Sequence, residues 1–263
     1  MKHPDTPLRM SLSGGMATKA WYESIYQICD TEKPRIAIDS SARVGKKLYD
    51  LARERSSELF ARYELPDPLW LQTEADELID KHRLEKGLRG CDALMVLGGS
   101  TYDLYERWRN AEVDQHITQA VRSGTIAAVG ASAGAMIWFE RGCSDSDMFH
   151  TPEGLKWEYR DVPGLGLLPG SITAHYSDTD ELERKRAEVY ADYLSSTSAG
   201  KNLALGIDTS AAAVICNGVL TVKDVNAIDE TEPANIHIFT EGAKNHQILA
   251  PGDSTSLQDI FGC

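Results

Sequence analysis

Short apolar runs of strand length alternate with longer helix-like stretches along most of this chain, and no other feature of the sequence restricts its fold as strongly. The runs are "RIAIDSS" (35–41), "ALMVLGGS" (93–100), "IAAVGAS" (126–132), "GSITAHYS" (170–177), "LALGID" (203–208), "AAVIC" (212–216), "VLTVKDV" (219–225) and "IHIFT" (236–240). Helical patterns occupy 45–63, 71–88, 102–122, 134–140 and 181–195. Strands separated by helices require crossover connections, which set strands parallel in a sheet covered on both faces. The C-terminal runs follow one another without helices, so hairpins are expected at one edge. A length of 263 residues with 42% apolar residues is enough for one large α/β domain, the organisation expected here.

Charge and cysteine usage narrow the function classes. The net charge of −13 and the lack of clustered Lys and Arg argue against a nucleic-acid partner. Cys29, Cys91, Cys143, Cys216 and Cys263 show no paired spacing, which fits free thiols in a reducing compartment. The N-terminal "MKHPDTPLRMSLSGG" lacks the apolar core of a signal peptide, and no window reaches the roughly 18 apolar residues of a membrane span. A cytoplasmic protein with no membrane partner, monomeric or homodimeric, is expected.

In a parallel sheet, ligands gather at the carboxyl ends of the strands. Three such ends carry polar chemistry: "GGST" (98–101), "GASAGA" (130–135) and "AHYSDTD" (174–180). The second matches G-x-S-x-G, the nucleophile elbow, in which a strained strand-to-helix turn exposes a serine and tolerates only small neighbours. Ala131, Ala133, Gly134 and Ala135 suit that crowding around Ser132, although a tight junction with a capping serine would satisfy the same pattern.

A serine hydroxyl needs a base to take its proton and usually an acid to orient that base. His175 ends the run "SITAH" at a strand terminus, where a base facing Ser132 belongs. His150, in the loop "DMFH", is the rival, more simply read as a surface histidine; His3, His82, His116, His237 and His246 read as solvated or structural. Asp145, Asp147, Asp178, Asp180 and Glu181 all lie near one partner or the other, and spacing alone does not choose among them. Gly98 and Gly99, lacking side chains, can bring backbone N–H groups close to a ligand, as an oxyanion hole requires.

Taken together, the glycine pair followed by a polar residue and Thr101, the G-x-S-A-G-A elbow, an Asp-Met step 15 residues beyond Ser132, and the strand-end His175 followed by Tyr176 resemble the peptidase E family. These are cytosolic serine exopeptidases that include aspartyl dipeptidase, with cyanophycinases as relatives. The similarity spans roughly residues 90–225 and includes "ALGIDTSAAAVICNGVLTV". It implies a flavodoxin-like, class I glutamine amidotransferase-like three-layer sandwich with a mainly parallel sheet. It further implies Ser132 as nucleophile, His175 as base, Asp147 as the orienting acid, and Gly99 and Ala133 as oxyanion-hole donors. Members preferring an N-terminal aspartate carry an arginine after the histidine, a position for which Arg184 and Arg186 are the candidates here. Ser100 stands where the family usually has asparagine. Trp21, Tyr22 and "ELPDPLWLQ" match no motif and read as core.

The expectation is therefore a serine exopeptidase acting on short peptides, among which the resemblance includes dipeptides with an N-terminal Asp, without metal or other cofactor. No two histidines lie three or four residues apart, no Cys pair has metal-ligand spacing, and no G-x-G-x-x-G or P-loop is present. An α/β-hydrolase esterase would place its acid further from the serine and its histidine nearer the chain end. A glutamine amidotransferase would need cysteine at Ser132. A binding or stress-response module with an idle elbow is the non-enzymatic alternative.

Overall fold

The computed structural model describes residues 8–15, 18–197, 203–226, 232–240 and 244–261; His3 and Cys263 lie outside them. The strands form two sheets. The larger has the order β14 (Ser254–Ser256), β11 (Val219–Asp224), β10 (Ala211–Cys216), β1 (Met10–Ser13), β5 (Ala127–Ala131), β4 (Ala93–Val96), β2 (Ile36–Asp39) and β3 (Leu69–Trp70). From β1 to β3 every pairing is parallel, whereas β10, β11 and β14 are added antiparallel. The second sheet runs β13 (Asn245–Leu249), β12 (Ile236–Thr240), β9 (Leu203–Ile207), β8 (Leu168–Thr173), β6 (Phe139–Ser144) and β7 (Arg160–Pro163), with β9, β8 and β6 parallel. The expected mixed α/β architecture and C-terminal hairpins are present, β10 and β11 being joined through Asn217 and Gly218, both at positive φ as a two-residue hairpin turn demands.

The expected strands are thus shared between two sheets. Periodicity marks an apolar run as a strand but does not say which strand it pairs with. The chain leaves β9 for β10 at Asp208, where Ala211 N donates to Asp208 O (3.0 Å) and turns the backbone into the larger sheet.

Alternation along each strand of the larger sheet feeds two cores. Met10, Leu12, Ala37, Leu94, Val96, Ala128 and Ile215 point to one side, against α4 (Thr101–Asn110), α5 (Asp114–Arg122) and the second sheet. Ile36, Ile38, Met95, Val129 and Val214 point to the other, against α1 (Lys19–Cys29) and α2 (Gly45–Arg62). Helix α1 buries Trp21, Tyr22, Ile25, Ile28 and Cys29, the i, i+4, i+7 stripe of an amphipathic helix, and Thr18 caps it. Its aromatic pair is core, as expected, and each of those side chains contributes about 1.5–3 kcal/mol of burial.

Several helical stretches are shorter than their patterns suggest. The one expected over 71–88 begins only at Lys81, in α3 (Lys81–Gly90), because Gln72 is pulled into a buried polar network and Glu77 ties down the N–H groups of Thr73 and Glu74. The 102–122 stretch is two helices, α4 and α5, broken where Glu112 takes a positive φ. The elbow helix α6 is only Ala133–Met136, after which Trp138 and Phe139 are core residues and the chain becomes β6. Helix α7 (Arg186–Ser196) starts later than expected, after a turn held by Asp180.

Candidate active site

Strand β5 delivers Ser132 at φ 54°, ψ −118°, a conformation that costs a non-glycine residue roughly 1–3 kcal/mol. The surroundings hold it there. Ser132 N donates to Ser13 O at the end of β1 (3.0 Å), and Ser132 O accepts from Ala135 N (2.9 Å) and Met136 N (3.0 Å). Both glycines of the motif are sterically required: a Cβ on Gly130 would lie 2.0 Å from Gly134 O, and one on Gly134 would lie 2.0 Å from Val96 O. The junction is therefore a strained elbow and not a capped turn, since Ser132 makes no side-chain cap bond to the helix it precedes.

Gly98 and Gly99 sit beside it. A Cβ on Gly98 would stand 3.2 Å from Ser132 Cβ, and Gly99 has φ 141° where a Cβ would lie 2.2 Å from Ala42 O. Among the described residues, neither Gly99 N–H nor Ala133 N–H has an acceptor. With α6 reduced to four residues, any oxyanion stabilisation at Ala133 rests on that N–H itself and not on a helix dipole.

His175 follows β8 at φ 55°, its N–H donating to Gly14 O (3.1 Å). Nδ1 of its ring lies 3.1 Å from Asp178 Oδ2 and 3.2 Å from Thr209 Oγ1, and the Thr209 hydroxyl donates to Asp178 Oδ1 at 2.5 Å. Occupying Nδ1 in this way leaves Nε2 as the basic nitrogen. Burial alone would raise the Asp178 carboxyl, but hydrogen bonds from His175 and Thr209 hold it below the ordinary carboxylate value. Gly15 packs flat on the ring, for a Cβ there would be 2.5 Å from His175 Cε1. Ser132, His175, Gly15, Gly98 and Gly99 line one cleft of about 520 Å³, walled by Trp21, Tyr22 and α2 and by Met148 and Phe149 of a short 3-10 helix (Ser146–Phe149). A separate, more open hollow of about 640 Å³ between α4, α5 and Gly164 contains neither of these groups.

Other expected residues lie elsewhere. Asp147 does not meet His175: its carboxylate pairs with Arg160 (3.0 Å), fastening the 3-10 helix to β7, and Asp178 takes the place beside the ring. Asp145 borders the cleft but is neutralised by the buried Arg186 (2.6 Å). Arg184 pairs with Asp180 and Glu158 and lies over Trp157 and Tyr159. Both arginines after the histidine are therefore committed to internal partners. Glu181 accepts from Trp157 Nε1 (2.7 Å). Ser100 caps α4 and bonds to Asp103, which also holds His150 Nε2 (2.7 Å), so the rival histidine ties a loop to α4 at the surface.

No motif of the sequence singles out Gly14, Gly15 or Thr209. "MSLSGG" repeats the form of "VLGG", a short apolar strand ending in two glycines, and that likeness was the available signal. Nothing local marks Thr209, which reaches His175 from 34 positions away. Among the described residues there is no group of three His, Cys, Asp or Glu placed to hold a metal ion, and no helix long and apolar enough to cross a membrane.

The model of peptidase family S51 matches residues 53–222, well over half of the chain and the whole stretch from Gly98 to Thr209. The chain belongs to peptidase family S51. An uncharacterized peptidase of Bacillus subtilis, YgaJ, is 31% identical over 105 residues, which is 40% of this chain and 40% of that protein. The chain thus aligns with less than half of that curated relative's length. The crystal structure of a peptidase from an acI-B1 Actinobacterium shares the fold with a TM-score of 0.67 at 16% identity, covering 95% of this chain and 97% of that one. A putative peptidase E protein from Listeria monocytogenes follows at a TM-score of 0.56 and 16% identity, over 84% of this chain and 100% of that one. The S51 match leaves out Gly14, Gly15 and the end of β2, all of which precede residue 53.

Proposed function

We propose that this S51 chain is a serine exopeptidase that hydrolyses short peptides through Ser132, with His175 as base and Asp178 as the group that orients it. The observation that carries this reading is the pairing of a strained serine elbow with a histidine whose Nδ1 is held by a carboxylate, both opening on one cleft.

The chemistry follows from those positions. Ser132 Oγ attacks the peptide carbonyl carbon while His175 Nε2 accepts the hydroxyl proton, and the imidazolium is stabilised by Asp178. The carbonyl oxygen becomes an oxyanion facing Gly99 N–H and Ala133 N–H. The C–N bond then breaks as His175 returns its proton to the leaving amine, and water, deprotonated by His175, releases the acyl group from Ser132. An N-terminal aspartate would have to be met by cations other than Arg184 and Arg186, whose guanidiniums are already paired.

Incubating the protein and its Ser132→Ala form with a dipeptide panel, and labelling both with a fluorophosphonate, tests this. Cleavage and labelling confined to the parent protein are expected. Labelling absent from both would show an idle elbow and sink the proposal.

A further inference from the structure

Asp39, the last residue of β2, is a fully buried carboxyl group that the chemistry proposed above does not use. Ser41 N (2.6 Å), Gln72 Nε2 (2.9 Å) and the indole Nε1 of Trp108 on α4 all donate to it. Three donors leave no acceptor for a carboxyl proton, so these bonds favour the ionised form against the burial that raises it. Arg107, the arginine that reaches the loop after β2, pairs with Asp76 and not with Asp39. A carboxylate held in the interior by neutral donors alone costs more than an apolar side chain would, so its use lies in what it holds.

What it holds is the turn beside Ser132. The Asp39 carbonyl accepts from Leu97 N (3.0 Å), which fixes the strand end that carries Gly98 and Gly99. The carboxylate works through the loop of residues 40–43. It fastens Ser41 N, while Gln72 accepts from Ser40 N (3.0 Å) and donates to Ser41 Oγ (2.7 Å). From the other side, Arg107 Nη1 donates to Ser41 O and Arg43 O (2.9 Å each). Ala42, between those two carbonyls, is set in place by both. Its own carbonyl accepts from Ser100 N (2.9 Å) and is the atom that a Cβ on Gly99 would meet. The carbonyl and the carboxylate of one residue thus bear on the two sides of the segment that presents Gly99 N–H.

We infer that Asp39 is a positioning residue for the oxyanion hole, holding Ala42 O against Gly99 so that the Gly99 N–H faces the oxygen on which charge develops. Asp39 does not itself line the cleft. The inference rests on the proposed peptidase reading and deepens it, at a residue that precedes the stretch matched by the S51 model. A donor displaced by about 1 Å stabilises the oxyanion far less, at a loss on the order of 10²-fold, and leaves substrate binding nearly unchanged. The loss should therefore fall on kcat and not on KM.

The test compares the parent protein with Asp39→Asn and Arg107→Met on a dipeptide that the parent cleaves. It also measures inhibition by phenylboronic acid, which forms a tetrahedral adduct on a reactive serine and places an oxygen in the oxyanion hole. Melting temperatures establish that the compared proteins are folded. Asp39→Asn sets an amide N–H against the three donors and should lower kcat roughly 10²-fold, keep KM within about threefold, and weaken phenylboronic acid about tenfold or more. Arg107→Met releases the loop from its other side and should move kcat and boronic acid binding the same way by a smaller factor. A folded Asp39→Asn protein with both readouts within about twofold of the parent would overturn the inference, as would a loss carried by KM alone. If Asp39→Asn does not fold, parent-like values in Arg107→Met overturn it instead. A carboxylate of purely structural use would lower the melting temperature without separating kcat from KM. A parent protein that neither cleaves dipeptides nor binds the boronic acid would overturn the peptidase reading and this inference with it, whereas an active parent with parent-like variants would overturn this inference alone.

Discussion

Ser132 and His175 both sit at positive φ with the backbone N–H bonded to the end of β1 or the glycine after it, but the ring of His175 is held by side chains as well. The serine end of the cleft is fixed by backbone: a positive φ, hydrogen bonds to Ser13, Ala135 and Met136, and two glycines against which no side chain fits. The histidine end adds side-chain contacts to its backbone bond: Asp178 and Thr209 on Nδ1, with Gly15 close against the ring. Backbone fixation is rigid and all-or-none, while side-chain fixation is graded and responds to pH. Substitutions on the serine end should therefore abolish the site or leave it intact. Those on the histidine end should tune it.

The largest expected effect tests the choice of acid. Asp178→Asn should lower kcat by on the order of 10⁴-fold, because the wrong tautomer is then favoured at Nδ1, while Asp147→Asn should change kcat by less than about tenfold. Equal losses in the two variants would undo the contrast between them. Next, Gly15→Ala forces a Cβ to within 2.5 Å of the His175 ring and should reduce kcat roughly 10²-fold with little change in melting temperature. Unchanged turnover would show that the ring has room to spare. Smaller again, Thr209→Val removes one of the two hydrogen bonds that lower the Asp178 carboxyl. Its pKa should rise, the acidic limb of the kcat/KM profile should move to higher pH, and activity at neutral pH should fall about tenfold or less.

The smallest effect is on stability. Because the folded-state value of Asp178 is depressed, its contribution is present above the unfolded carboxylate pKa of about 3.9 and is lost as pH falls through the folded value. Asp178→Asn should flatten the acid side of the melting-temperature profile only slightly, by less than about 1 kcal/mol, since the carboxylate is 44% exposed and screened by water. A change of several kcal/mol would mean that the side-chain end carries structural weight as well.

The same contrast explains what could be read from the sequence. Ser132, Gly98, Gly99 and His175 were legible because each sits at the end of a local apolar run, and the glycine spacing around the serine reports a local backbone requirement. The position of Asp178 rather than Asp147 beside the ring was not, because it depends on tertiary pairing: Arg160 holds Asp147 away, while the turn closed by Asp178 N donating to His175 O (3.0 Å) brings Asp178 to Nδ1. Likewise "ELERKRAEV" advertised two arginines near the histidine, but their carboxylate partners Asp145, Glu158 and Asp180 lie in other segments or in the turn before α7. The division of the strands between two sheets was hidden for the same reason, since β9 and β10 are adjacent in the chain and nearly alike in composition.

The hydrogen bond from Ser132 to Ser13, and that from His175 to Thr209, also set an order in time. A growing chain makes the strand that receives Ser132 first, the serine 119 positions later, and the residue that steadies its base a further 77 positions on. At about 5–20 residues per second, the ribosome takes roughly 4–15 s to pass from Ser132 to Thr209. On the proposed reading, Ser132 waits that long for the residue that steadies the ring of His175.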